Sequence, residues 1–125
     1  MKLAVFEKAL EDSRGQLSDF EPALITTGGA AGAFDVFTAL TKMTMAASTL
    51  VAARAAEAGD WKTEGRRSPT SSVAQKTGWG FGESQGMLEN SGRLSSLPET
   101  TEALKRGELS SPQLREIATT AVRNP

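Results

Sequence analysis

The stretch AFDVFTALTKMTMAASTLVAARAAEA, residues 33–58, decides how this chain folds. Ala33, Val36, Phe37, Leu40, Met43, Ala47, Leu50 and Val51 recur at the three- and four-residue intervals that place side chains on one stripe of an α-helix. Gly59 stands where helices commonly end in a left-handed residue. At 1.5 Å per residue such a helix would be about 39 Å long. Its many alanines would let a neighbouring helix pack closely. The spacing predicts one long helix that serves as the backbone of the fold.

Toward the N-terminus, Leu3, Phe6, Ala9 and Leu10 also recur at helical spacing and predict a short first helix ending near Gly15. Pro22 interrupts the polar segment after it, and ALITTGGAAG reads as a Gly-rich loop or the entry of the long helix. Residues 1–32 are thus expected to be a helix and a loop, and 33–59 the long helix.

Toward the C-terminus, residues 60–125 divide into short helices with strong punctuation. GDWKTEGRRSPTSS breaks the helical pattern, and Ser68 before Pro69 supplies an N-cap and a proline at the first helical position. A helix from there should stop at Gly78. Another is expected from about Glu83 to Ser96 with Met87, Leu88 and Leu94 inward, weakened by about 1 kcal/mol each at Gly86 and Gly92. Pro98 opens a helix that Gly107 closes, and Ser111–Pro112 opens the last, with Leu114, Ile117, Ala118 and Ala121 apolar. Leu97, Leu104 and Leu109 are expected to pack against Leu114 and Ile117. No segment alternates as a strand would. The fold class expected is all-α: one long helix packed with four or five short ones, in a single helical domain or a fragment of one.

Composition narrows the chemistry. The chain has 125 residues with a net charge of −1, and contains no Cys, His or Tyr. Without Cys or His the usual zinc sites and the Ser-His and Cys-His nucleophile pairs cannot form. Absence of Cys suits a reducing cytoplasm. Glu7 cuts the first apolar run too early for a signal peptide, and the uncharged run between Lys42 and Arg54 is too short to span a bilayer. A cytoplasmic protein without membrane contact is expected. Charge is uneven along the chain: residues 1–60 carry five Lys/Arg against eight Asp/Glu, a balance of −3, whereas 61–125 carry nine against seven, a balance of +2.

The motifs give little chemistry. Thr27, Gly28 and Gly32 match part of the nucleotide-binding turn of short-chain dehydrogenases, but Phe34 stands where its final glycine belongs and no strand precedes it. Glu7 with Glu11, and Glu99 with Glu102, read as solvated helix faces rather than acid-base pairs. No cofactor, no metal and no catalytic residue is expected. SSVAQKTGWGFGESQGML compares with a helix-turn-helix: Ala74 and Gly78 stand four apart, although Ser84 occupies the place where an inward aliphatic residue is usual. Lys62, Arg66 and Arg67 form the densest basic cluster, in the loop before Ser68, with Trp61 and Trp79 flanking it. Trp61 is expected to seat the end of the long helix against the short ones.

From about Trp61 to Ala121 the chain resembles domain of unknown function 222, the helical N-terminal region of actinobacterial HNH endonuclease-like proteins, also described as a mycobacterial repeat family. Arg93, Leu94, Leu97, Pro98, Thr100, Ala103, Leu104, Gly107, Glu108, Leu109, Ser110, Gln113 and Ile117 carry the likeness. Gly86 and Gly92 depart from it. The nuclease residues of that family lie in a separate C-terminal module with no counterpart here, so no enzymatic activity is expected of this chain alone. The resemblance implies an accessory, DNA-handling role, with Arg66, Arg67, Lys76 and Arg93 touching phosphates. The competing expectation is a protein-interaction or self-association module, a homo-oligomer or a complex formed through the 33–58 helix.

Overall fold

The structure, a computed structural model, describes residues 1–123. Among them the fold is all-α: α1 (Leu3–Ser18), α2 (Thr27–Ala58), α3 (Asp60–Thr63), α4 (Pro69–Thr77), α5 (Phe81–Arg93), α6 (Pro98–Lys105) and α7 (Ser111–Arg123). Short 3-10 turns lie at Pro22–Leu24 and Leu94–Ser96. The chain forms two compact units, Met1–Val36 and the remainder from Phe37.

In the first unit, α1 runs past Gly15 to Ser18 without a break. Every residue of α1 is exposed, its large apolar side chains included. Of the Gly-rich segment expected as a loop or a helix entry, residues 27–32 are the start of α2, which has 32 residues and begins at Thr27, earlier than the expected 33. Thr26 explains the earlier start. Its Oγ1 accepts from the Gly29 N–H at 3.0 Å and its carbonyl accepts from the Ala30 N–H at 2.8 Å, the bonds of an N-cap. A Cβ at Gly29 would lie 3.0 Å from that hydroxyl, so the missing side chain makes room for the cap. These glycines therefore belong to a helix, and no nucleotide-binding turn exists here.

The second unit has a small core of Ala46, Leu94, Leu104 and Leu114, with Leu50 and Leu109 packed against it. Leu97 and Ile117, expected among them, are only half-buried. A larger correction concerns α2. Most of the stripe that the sequence marks out, Val36, Phe37, Leu40, Met43, Ala47 and Val51, is exposed. The buried residues are Ala46, Thr49 and Ala52. Small side chains win this face because another helix comes down to the backbone: the Ala53 N–H donates to Ser91 Oγ of α5 at 2.9 Å. A Leu or Phe there would hold α5 away, so the expectation that alanines permit close packing holds while the apolar stripe points elsewhere.

By length and composition α2 is also apolar enough to cross a membrane, with a mean hydropathy of 1.3 over its best window and 11 % of that window buried. The run between Lys42 and Arg54 is only part of this helix.

Punctuation of the short helices follows the sequence closely. Ser68 Oγ accepts from the Ser71 N–H at 3.1 Å and caps α4. Gly78, at φ +78°, ends α4 with its N–H on the Ala74 carbonyl. Gly107, at φ +71°, closes the turn after α6. Both lie in the left-handed region that glycine enters without steric penalty. The last helix is capped by Ser110 rather than Ser111: the Gln113 N–H donates to Ser110 Oγ at 3.3 Å while Gln113 Oε1 accepts from the Ser110 N–H at 2.8 Å. That reciprocal pair is a capping box. Between α5 and α6, Thr101 Oγ1 lies 3.0 Å from the carbonyls of Leu94 and Leu97 and ties the turn to α6.

Candidate nucleic-acid interface

Helices α4 and α5, joined at Gly78 through residues 78–80, make the helix-turn-helix-like corner. Ser84, the residue in place of the usual aliphatic, is fully buried at 0 % exposure, and its hydroxyl donates to the Gly80 carbonyl at 2.9 Å. The position is therefore a packing position after all. A hydroxyl fits because it returns its hydrogen bond to its own helix instead of carrying an unpaired polar group inward.

The exposed side of α5 presents Glu83, Gln85 and Glu89. Two carboxylates on the helix that would enter a groove repel phosphates, and Arg93 alone supplies the opposite charge on α5.

The four expected phosphate contacts are spread over three settings. Arg66 and Arg67 lie in the loop between α3 and α4, just before the Ser68 cap. Arg67 is exposed, while Arg66 is half-buried and its Nε is buried without a hydrogen-bond partner. The Arg66 N–H donates to the Trp61 carbonyl at 2.9 Å, which folds this loop back on α3. Lys76, in the last turn of α4, pairs with Glu64 at 3.3 Å. It also lines a groove of about 150 Å³ with Ala52, Ala56, Trp61, Val73 and Leu88. Asp60 is on the same groove, so the groove carries one charge of each sign.

Arg93 lines a different hollow, between α5 and α7, together with Glu83, Glu89 and Arg115. Arg115 did not stand out in the sequence, where it lies between Leu114 and Glu116 far from Arg93. Helical spacing on α7 alone could have marked it as exposed, but not what it would face.

Trp61 takes the position expected of it. Its Nε1–H donates to the Ala56 carbonyl at 3.2 Å, closing the C-terminal end of α2, and Lys62 Nζ lies 5.3 Å from the ring centroid. Among the described residues no group of three or more Asp, Glu, His or Cys is placed to hold a metal ion. Among the described residues the one pair whose titration is shifted is peripheral: Arg106 Nε lies 2.7 Å from Glu108, and this hydrogen bond holds the carboxyl below its ordinary range and raises the guanidinium.

Exposed apolar residues, by contrast, are prominent in both units. Leu3, Phe6, Leu10 and Leu17 stand open on α1; Phe37, Leu40, Met43 and Val51 stand open on α2. The signal for them was present as helical periodicity, which cannot tell a core-facing stripe from an uncovered one.

Compared with known proteins, the chain matches no protein-family model, no curated protein and no solved structure.

Proposed function

We propose that this chain is a non-catalytic helical interaction module that works by docking its uncovered apolar helix surface on a protein partner. The observation that carries this reading is the large side chains left open in each unit, Phe6 and Leu10 on α1 in the first and Phe37, Leu40 and Met43 on α2 in the second. Uncovered apolar surface of this extent marks interaction sites. Burial is worth roughly 25 cal/mol per Å² of apolar area, so several such side chains together supply the driving force for association. A protein partner suits α2 better than a bilayer does. Asp35 and Lys42 lie within its apolar part, and each charge placed near the middle of a membrane costs about 2.5–3.5 kcal/mol.

The test is covalent labelling of Met43 by hydroxyl radicals in native cells and in dilute purified chain. Met43 is 45 % exposed, and the buried Met87 serves as the internal control. Strong protection of Met43 in cells is expected. Equal labelling in both settings overturns the reading.

A second reading is favoured by one specific feature, the Arg66–Arg67 pair beside the capped start of α4. Neither arginine is in an ion pair among the described residues. In this reading, which the resemblance to domain of unknown function 222 supports, the corner touches DNA phosphates as part of a larger HNH endonuclease-like protein. Binding of a labelled duplex that falls with salt and is lost in Arg66→Glu/Arg67→Glu would support it. Absence of binding at low salt removes it.

A further inference from the structure

We infer that α1 pairs antiparallel with the α1 of a second copy of this chain; this names the partner for one part of the interaction surface and rests on the interaction reading. Helix α1 is poorly equipped to stand alone. It has 16 residues, no side-chain cap, no acidic residue in its first turn and no basic residue in its last. At 16 residues it only just exceeds the length of about 12–15 below which isolated helices are marginal in water, and Gly15 weakens it. None of its residues is buried. A covering surface is what would make it stable.

Its apolar residues specify the cover. Leu3, Phe6, Leu10 and Leu17 fall at a and d positions of a heptad repeat, with polar Ser13 at the remaining d position of the helix and Phe20 at the next one, beyond the helix end. Leu10 is 53 % and Leu17 57 % exposed. Phe20 follows just past the C-cap Asp19, outside the helix, with its N–H donating to the Leu17 carbonyl at 3.2 Å.

Two copies of this row laid head to tail match Leu3 with Phe20, Phe6 with Leu17 and Leu10 with Ser13 of the second copy. Two-fold symmetry repeats each match. In that register Glu7 and Arg14, both in the flanking e position, fall opposite one another across the seam, once on each half. Among the described residues Glu7 is in no ion pair, and Arg14 has only an exposed contact with Glu11 at 3.6 Å. Both are therefore available to the partner. A parallel pairing would instead rely on Lys2 with Glu7, and Lys2 lies outside the helix in extended backbone. Charge complementarity thus selects the antiparallel arrangement.

The experiment is sedimentation equilibrium of the full chain as wild type, Glu7→Arg, Arg14→Glu and the double reversal. Wild type is expected to dimerise. Each single reversal turns both cross-seam pairs from attraction to repulsion and should raise the dimer dissociation constant about tenfold or more. The double reversal should restore it to within about threefold. Rescue by the double reversal separates this from a damaged helix, because a chain that had simply lost the ability to form α1 would not regain the dimer when the second charge is reversed. Singles without effect, or a double reversal that fails to rescue, overturn the pairing. Weakening by Lys2→Glu with Arg14→Glu inert would show a parallel dimer and overturn it as well. A chain monomeric at every concentration also overturns it, while protection of Met43 on α2 in cells still decides the interaction reading independently.

Discussion

The two units of this protein are built from the same kinds of helices and treat their apolar residues in opposite ways. In the unit from Phe37 onward, a few residues suffice: Ala46, Leu94, Leu104 and Leu114 close a core, with buried Thr49, Ser84, Asn90 and Ser91 around it. In the unit Met1–Val36, no residue is buried although Leu, Phe and Val are plentiful. The difference lies in what lies opposite each stripe, not in hydrophobicity. A helix stripe becomes core only when a second surface is folded against it, and most helix stability in proteins comes from that packing rather than from propensity. In the first unit no residue is buried, and its apolar side chains are where the proposed partner would dock.

That contrast can be broken most directly at Leu104, which is 3 % exposed. Leu104→Ala should destabilise the second unit by about 2–5 kcal/mol in urea unfolding. Leu10→Ala, measured in dilute chain, should leave the same transition within about 0.5 kcal/mol. Comparable losses would show that α1 contributes to that unit's stability and would end the distinction.

A smaller effect is expected at the corner. Gly78→Ala meets no steric obstacle but forces a side chain into φ +78°, which should lower stability by about 1–2 kcal/mol. An unchanged melting temperature would mean that the corner can end its helix in another way. Ser110→Ala removes the capping box of α7 and should cost about 1 kcal/mol, detectable as lower thermal stability with the core intact. The smallest effect belongs to Glu108. Its native pKa is depressed from 4.5 by the hydrogen bond from Arg106. Its contribution is therefore complete above the ordinary value and disappears as pH falls through the lower native one. Both groups are exposed, so Glu108→Gln should flatten the acid side of the stability profile only slightly. A large change would place this pair in a more protected setting than its exposure indicates.

Sequence reading succeeded where the signal is local. Ser68–Pro69, Gly78 and Pro98 mark real boundaries because caps and prolines act within one turn of the chain. It put the start of the long helix too late, at residue 33, because Gly28, Gly29 and Gly32 suit a loop as well as a helix entry and one hydroxyl, Thr26 Oγ1, was enough to start the helix. It also shifted α5, which begins at Phe81 rather than near Glu83 and passes into a 3-10 turn after Arg93. Among the expected phosphate contacts, the adjacency of Arg66 and Arg67 was legible. The pairing of Lys76 with Glu64, and the placing of Arg93 with Arg115, were not, because each joins residues far apart in the chain.

By itself, the sequence determined that this is an all-helical chain without the usual nucleophile pairs or zinc ligands, and determined most of its helix ends. These follow from hydrogen bonds and side-chain chemistry within about four residues. Only the tertiary structure decided which face of α2 is core. Ala46, Thr49 and Ala52 are chosen over Phe37 and Leu40 because α5 packs close enough for Ser91 to reach the backbone at Ala53, a contact across 38 residues. Periodicity records that a helix has an apolar side, whereas burial depends on the distant segment that arrives to cover it.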